Sequence, residues 1–265
     1  MIRLVGIDVD GTLVGSQGRV HPDIWTAAER ARQRGIRLAL CSGRPAFGLA
    51  LDYARRLDRD GWHIFQNGAS VLDLERRQTR SVTLPSEVAR SFVEDSRRTG
   101  RLLEIYSDDA YVSESDSAWA HDHAKLLGVP FEMHSFDSLN GPVVRAQWLL
   151  PHVEAQQWAQ TPRPALEIAL SSSPLMPETT FVGITRAGVS KGSALRAIAQ
   201  EYGFDLSDVM YVGDAENDLS AMRIVGHPVA MENASDSVLN AARITVGHVD
   251  DGGLAEALDA AINTR

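Results

Sequence analysis

This sequence has almost no cysteine and a deficit of positive charge. Its single cysteine, Cys41, excludes an intramolecular disulfide and fits a reducing compartment. Lys and Arg number 26 against 35 Asp and Glu, for a formal net charge of −9. Such a chain repels phosphate backbones, so nucleic acid is not an expected partner. A small anionic ligand would need a local cationic pocket, with a metal ion working against the global field. No apolar run is long enough to cross a bilayer, which argues against a membrane partner. The opening Met1–Asp8 carries a carboxylate where a signal peptide would stay apolar, so a soluble cytoplasmic protein is expected. Repeats and low-complexity stretches are also lacking. What remains is an ordinary globular balance, 44% hydrophobic and 23% charged over 265 residues. That is enough for one large α/β domain or for a domain plus an insertion.

The outer thirds alternate short apolar runs with amphipathic stretches. Leu4 to Ile7, Ile36 to Cys41 and Trp62 to Phe65 read as strands. His21 to Arg34 reads as a helix closed by Gly35, and Pro45 suits the first turn of another. After residue 188 the pattern returns. Ser190 to Tyr202 reads as a helix, Val209 to Val212 as a strand, Asp218 to Ile224 as a short helix and Pro228 to Met231 as a strand. Leu254, Ala257, Leu258 and Ala261 mark a terminal helix. This alternation predicts a doubly wound parallel sheet. The middle is more mixed. Strands are expected at Leu103–Tyr106, Ala110–Val112, Val143–Leu150 and Phe181–Ile184, and helices at Val88–Arg98 and Ala118–Leu127. That predicts an α+β module with an antiparallel sheet, entered and left near Pro85 and Gly188.

Four segments carry chemistry. Asp8-Val9-Asp10-Gly11-Thr12 follows the first strand, so two carboxylates converge where α/β sheets bind ligands. That arrangement is costly unless a cation neutralises it. A calcium loop does not fit, because Thr12, Leu13 and Arg19 stand at positions needing a ligand, a glycine and a bidentate glutamate. A solvated strand end with a turn is the bland alternative. Ser42-Gly43-Arg44 lies between a strand and a helix start, which suits either an oxyanion or a simple helix cap. Lys191 stands at the start of a helix, where a positive charge opposes the macrodipole. It is either a surface lysine or one paired with phosphate or carboxylates. Gly213-Asp214-Ala215-Glu216-Asn217-Asp218 crowds three carboxylates and an amide into one loop after a strand. These cap the next helix or complete a hard-oxygen magnesium site with Asp8 and Asp10.

Taken in order, these segments resemble those of the haloacid dehalogenase-like (HAD) phosphatase superfamily, and the insertion resembles the type IIB cap of its Cof-like hydrolases. Asn67-Gly68-Ala69, Val229–Ala234 and Asp250-Asp251-Gly252-Gly253 extend the match over essentially the whole chain. The resemblance implies an α/β fold with a doubly wound parallel-sheet (Rossmann-like) core, residues 1–83 and 188–265, and an inserted α+β cap domain, residues 84–187. It implies a Mg2+-dependent phosphatase acting on a small phosphorylated metabolite, a monomer or small homo-oligomer. Asp8 would be the nucleophile, Asp10 the acid/base, and Lys191 the neutralising cation. Thr12, Ser42, Gly43, Arg44, Asn67 and Asn217 would line the phosphate and substrate side. Asp8, Asp10 (through its backbone carbonyl), Asp214 and Asp218 would hold the metal. Glu232 and Gly183 depart from the family pattern, the first standing for a glycine and the second for an acidic residue. The alternatives are a phosphomutase of the same architecture and a non-catalytic phosphometabolite-binding protein. His121, His123 and His134 are expected at the surface, and Trp119, Trp148 and Trp158 in cap packing. Arg145 reads either as a cap-borne anion clamp or as a strand-surface arginine.

Overall fold

A computed structural model describes residues 1–173 and 175–264. Its first strand, β1 (Leu4–Ile7), is wholly buried inside a parallel sheet, next to an edge strand. Helix α1 (Pro22–Gln33) leads to β2 (Arg37–Leu40), and α2 (Gly48–Leu57) leads to β3 (Trp62–Phe65). The hairpin partners β4 (Ser70–Asp73) and β5 (Gln78–Ser81) follow. Two expectations need correction here. Helix α2 begins after Phe47 rather than at Pro45, because Arg44, Pro45 and Ala46 belong to the loop beside the first segment. Strand β3 meets β2 through a single parallel bridge, Cys41 to Ile64, and is otherwise paired antiparallel with β4. The hairpin β4–β5, of mixed polarity, gave no clear alternation in the sequence.

The inserted module starts with α3 (Ser86–Thr99), β6 (Leu102–Tyr106), β7 (Tyr111–Val112) and α4 (Ala118–Leu127). It continues through β8 (Arg145–Pro151), α5 (His152–Gln160), β9 (Leu166–Ser173) and β10 (Met176–Arg186). Its antiparallel sheet has the order β7-β6-β8-β10-β9. Strand alternation sends Leu103, Ile105, Trp148, Val182 and Ile184 to one face, where they pack with Phe92 of α3 and Ala155 of α5. The other face carries Glu104, Tyr106, Arg145 and Gln147 toward the core. Helix α5 and strand β9 are weakly amphipathic and were not expected.

The chain then returns to the core. Helix α6 (Lys191–Glu201), β11 (Val209–Gly213), α7 (Leu219–Met222), β12 (His227–Met231), α8 (Asp236–Ala241), β13 (Ile244–Val246) and α9 (Gly253–Asn263) complete it. The main sheet has the order β13-β12-β11-β1-β2, with every pairing parallel. Val5 and Ile7 face α1, α2 and α9, while Leu4 faces α6, α7 and α8. A buried strand sandwiched in this way must be apolar on both faces, as β1 is. Cys41 is buried in the core. Among the described residues no helix is long and apolar enough to cross a membrane.

Candidate active site

The site forms where the parallel strands end. Past β1, the Asp8 amide donates to the Val212 carbonyl at 3.0 Å, which fixes Asp8 beside the end of β11. The chain then turns sharply, with the amides of Leu13 and Val14 both donating to the Val9 carbonyl. Gly11 makes this turn at φ +87°, and a Cβ there would lie 2.2 Å from Oδ2 of Asp214. The glycine thus allows both the left-handed turn and the approach of Asp214. Thr12, fully buried, donates its hydroxyl to Oδ1 of Asp214 at 3.0 Å.

Lys191 is not a surface lysine. It is the first residue of α6, whose start is fixed by reciprocal bonds between Ser190 and Ser193. Its Nζ lies 2.5 Å from Oδ1 of Asp8 and 2.7 Å from Oδ1 of Asp218. Burial opposes its charge, but Asp218 and Asp8 outweigh that and raise its pKa. Asp8 feels the converse. Burial and then Asp218 push its carboxyl up to about 7, against the downward pull of Lys191. Burial and then Asp8 raise Asp214 also. Such a crowd of buried carboxylates has more negative charge than one ammonium offsets, which is a cation site in electrostatic terms.

Ligand atoms of Asp8, Asp214 and Asp218 lie within 4.8 Å of one another. Their hydrogen bonding separates them. Asp218 is saturated: Oδ1 accepts from Lys191 and from the Tyr211 hydroxyl at 2.5 Å, and Oδ2 from the amides of Asp214 and Ala215. Oδ2 of Asp8 and Oδ2 of Asp214 accept no hydrogen bond among the described residues. Hard, unshared carboxylate oxygens fit Mg2+. The Asp10 carboxylate stands outside this trio, held instead by Arg44.

The second loop is braced by a strained turn. Gln66 and Asn67 adopt φ of +53° and +56°, uncommon for residues with a side chain. Their amides donate to the carbonyls of Arg44 and Ser42, both at 2.9 Å. The Ser42 hydroxyl accepts from the Arg44 amide and is buried. Oδ1 of Asn67 accepts from Asn217 at 3.2 Å, and Gly43 stands next to Asn67. The sequence-predicted residues of all four segments therefore meet in one place.

Several contributing residues escaped sequence reasoning. Tyr211 reaches Asp218 because Gly6 leaves room, a Cβ there lying 2.7 Å from the ring. Asn233 donates to the Gly11 carbonyl at 2.8 Å, and Asp250 accepts from the amide and hydroxyl of Ser16. Both lie in segments singled out only as motif matches, and both brace the first loop. Arg145 is buried rather than on a strand surface, and its Nη1 donates to the Gly43 carbonyl. His123 is buried against Glu104, contrary to the surface position expected; His121 and His134 are exposed. Trp148 and Trp158 pack in the module's core, and Trp119 is half-buried beside it. The inserted sheet and α4 roof a cavity of about 730 Å³ with Asp8, Asp10 and Asp214 in its floor.

A family model described as haloacid dehalogenase-like hydrolase matches residues 5–258. The chain is 25% identical to the 5-amino-6-(5-phospho-D-ribitylamino)uracil phosphatase YwtE of Bacillus subtilis, covering 97% of both chains. It is 26% identical to the HMP-PP phosphatase of Serratia proteamaculans, over 88% of this chain and 85% of that one. In fold it is similar to a solved HAD subclass IIB sugar phosphatase, with a TM-score of 0.83, 22% identity and coverage of 97% and 98%.

Proposed function

The chain belongs to the haloacid dehalogenase-like hydrolases, and from that premise we propose that it is a Mg2+-dependent phosphatase that cleaves a small phosphomonoester through an aspartyl-phosphate on Asp8. The observation that carries the reading is the contact of Lys191 with Asp8 at 2.5 Å, beside the open oxygen of Asp214, under a roofed cavity. Relatives named as phosphatases of small phosphorylated metabolites agree with it. Residues 84–187 act as the cap.

Asp8 and Asp214 would hold the metal through their free oxygens, and Asp218 would orient Lys191 rather than bind the ion directly. Bound there, Mg2+ would reduce repulsion between a carboxylate nucleophile and a phosphate dianion. Oδ1 of Asp8, the oxygen not given to the metal, attacks phosphorus and the bond to the leaving alkoxide breaks, with Asp10, protonated and released from Arg44, giving that oxygen a proton. Asp10, now a carboxylate, takes a proton from water as the water attacks phosphorus and Asp8 is released. Lys191, Ser42 and the turn at Gly43 face the charge that develops on the phosphoryl oxygens. Arg44, Asn67 and Asn217 stand on the leaving-group side, and the cap excludes bulk water.

Phosphate release from p-nitrophenyl phosphate with Mg2+ tests this. Wild type should turn over, a chelator should stop it, and Asp8→Asn should abolish it. Turnover retained in Asp8→Asn would overturn the nucleophile assignment.

A further inference from the structure

Arg145 is a charged side chain held in the cavity roof with most of its donors unspent. It is 3% exposed and lines the cavity that contains Asp8 and Asp10. Its Nη1 donates to the Gly43 carbonyl, and among the described residues its Nε has no hydrogen-bond partner. Its guanidinium lies 3.9 Å above the Tyr106 ring centroid, so the ring fixes its plane. Burial pushes its pKa down from the usual arginine value, as expected of a cation without a bonded counter-ion.

The neighbouring row of the same sheet face is organised around Glu104. Glu104 lies opposite Gln147, and Tyr106 lies opposite Arg145, across β6 and β8. The buried Glu104 carboxylate accepts from the Tyr106 hydroxyl at 2.5 Å, from His123 Nδ1 at 2.9 Å and from Gln147 Nε2 at 3.2 Å. Three internal donors occupy it, so it orients its neighbours and leaves His123 and Gln147 to face the cavity.

A buried guanidinium with open donors matches a planar carboxylate or a phosphate, each able to accept two parallel hydrogen bonds. An uncharged, non-accepting ligand would leave the guanidinium's free donors unpaired, with the Glu104 carboxylate of the next row offsetting only part of its charge. We propose that Arg145, with Gln147 oriented by Glu104, is an oxyanion subsite, and that the substrate is a phosphomonoester whose alcohol carries a second anionic group. This rests on the phosphatase reading and extends it to the leaving group. The bond to Gly43 sets Arg145 beside the second loop, so the two anions sit close together on a compact metabolite.

The test compares matched substrates that differ only in the second anion. 3-Phosphoglycerate is set against glycerol 3-phosphate for a carboxylate, and fructose 1,6-bisphosphate against fructose 6-phosphate for a phosphate. The anionic member of one pair should have a kcat/KM at least about tenfold higher, and the pair that responds identifies the anion. Arg145→Met should bring that ratio toward one, mainly through KM, whereas Arg145→Lys should keep part of it. Glu104→Gln, a change at a positioning residue, should lower the same ratio, which a purely structural role would leave alone. If Arg145→Met does not fold, Arg145→Lys and Gln147→Leu are read by the same ratio. No preference in either pair, or a preference that survives these substitutions, overturns the subsite. If no compound releases phosphate, the phosphatase reading fails. Calorimetry on Asp8→Asn with the same pairs then decides the subsite, since tighter binding of an anionic member must appear with Arg145 and vanish without it.

Discussion

Arg44 grips both carboxylate oxygens of Asp10, with Nε 2.9 Å from Oδ2 and Nη2 2.5 Å from Oδ1. The same guanidinium donates Nη1 to the Leu126 carbonyl at 2.9 Å, near the end of α4. One core side chain therefore joins the proposed acid/base to the roof. Arg145 makes the reciprocal tie from roof to core at Gly43. Any movement of the cap is thereby linked to the freedom of Asp10.

Asp10→Asn separates the two halves of the reaction. p-Nitrophenolate leaves without a proton, so the first displacement needs no acid, whereas water in the second still needs a base. Stopped-flow absorbance should show a burst of about one equivalent, followed by a steady rate roughly a hundredfold or more below wild type. A wild-type steady rate would remove Asp10 from the mechanism.

Lys191→Met leaves Asp8 and Asp218 buried together without their cation. Removing one partner of a buried ion pair costs about 3–5 kcal/mol. Urea unfolding of the metal-free variant should show a loss of that order. Added Mg2+ should recover more stability in the variant than in wild type.

Gly11→Ala places a methyl group 2.2 Å from Oδ2 of Asp214 in a backbone conformation that favours glycine. Asp214 must move away, so the Mg2+ concentration for half-maximal activity should rise by about tenfold or more. An unchanged magnesium requirement would show that Asp214 Oδ2 is not a ligand.

His63 gives a pH dependence separate from the carboxylates. Its Nδ1 accepts from the Leu40 amide at 3.0 Å, so Nε2 carries the proton and donates to the Asp58 carbonyl at 2.8 Å. Burial pushes its pKa down to about 4 from 6.5. Between those values the unfolded chain binds the extra proton, so stability is present above pH 6.5 and is lost as the pH falls toward 4. The loss is at most on the order of 3 kcal/mol. Urea midpoints over this range should fall more steeply for wild type than for His63→Gln.

The sequence by itself determined the frame of this protein. Three short segments at strand ends and one at a helix start specified which residues meet, because a parallel α/β sheet brings every strand's carboxyl end to one edge. Helical and strand periodicity located α1, α4, α6 and β1 closely, since each buries one clean stripe or a continuous apolar run. Periodicity could not show α5, β9 or the β4–β5 hairpin, whose residues are exposed or mixed. Only the tertiary structure decided how the carboxylates divide their work. Among the described residues Asp214 keeps an oxygen free, Asp218 spends its acceptors on Lys191, Tyr211 and two amides, and Asp10 is held by Arg44. Spacing along the chain cannot reveal this, because Thr12, Lys191 and Arg44 reach their carboxylates across the fold and hydrogen-bond saturation is a property of the packed site. The same holds for Arg145, ambiguous on its strand until the sheet turned its charge into the roof above Asp8.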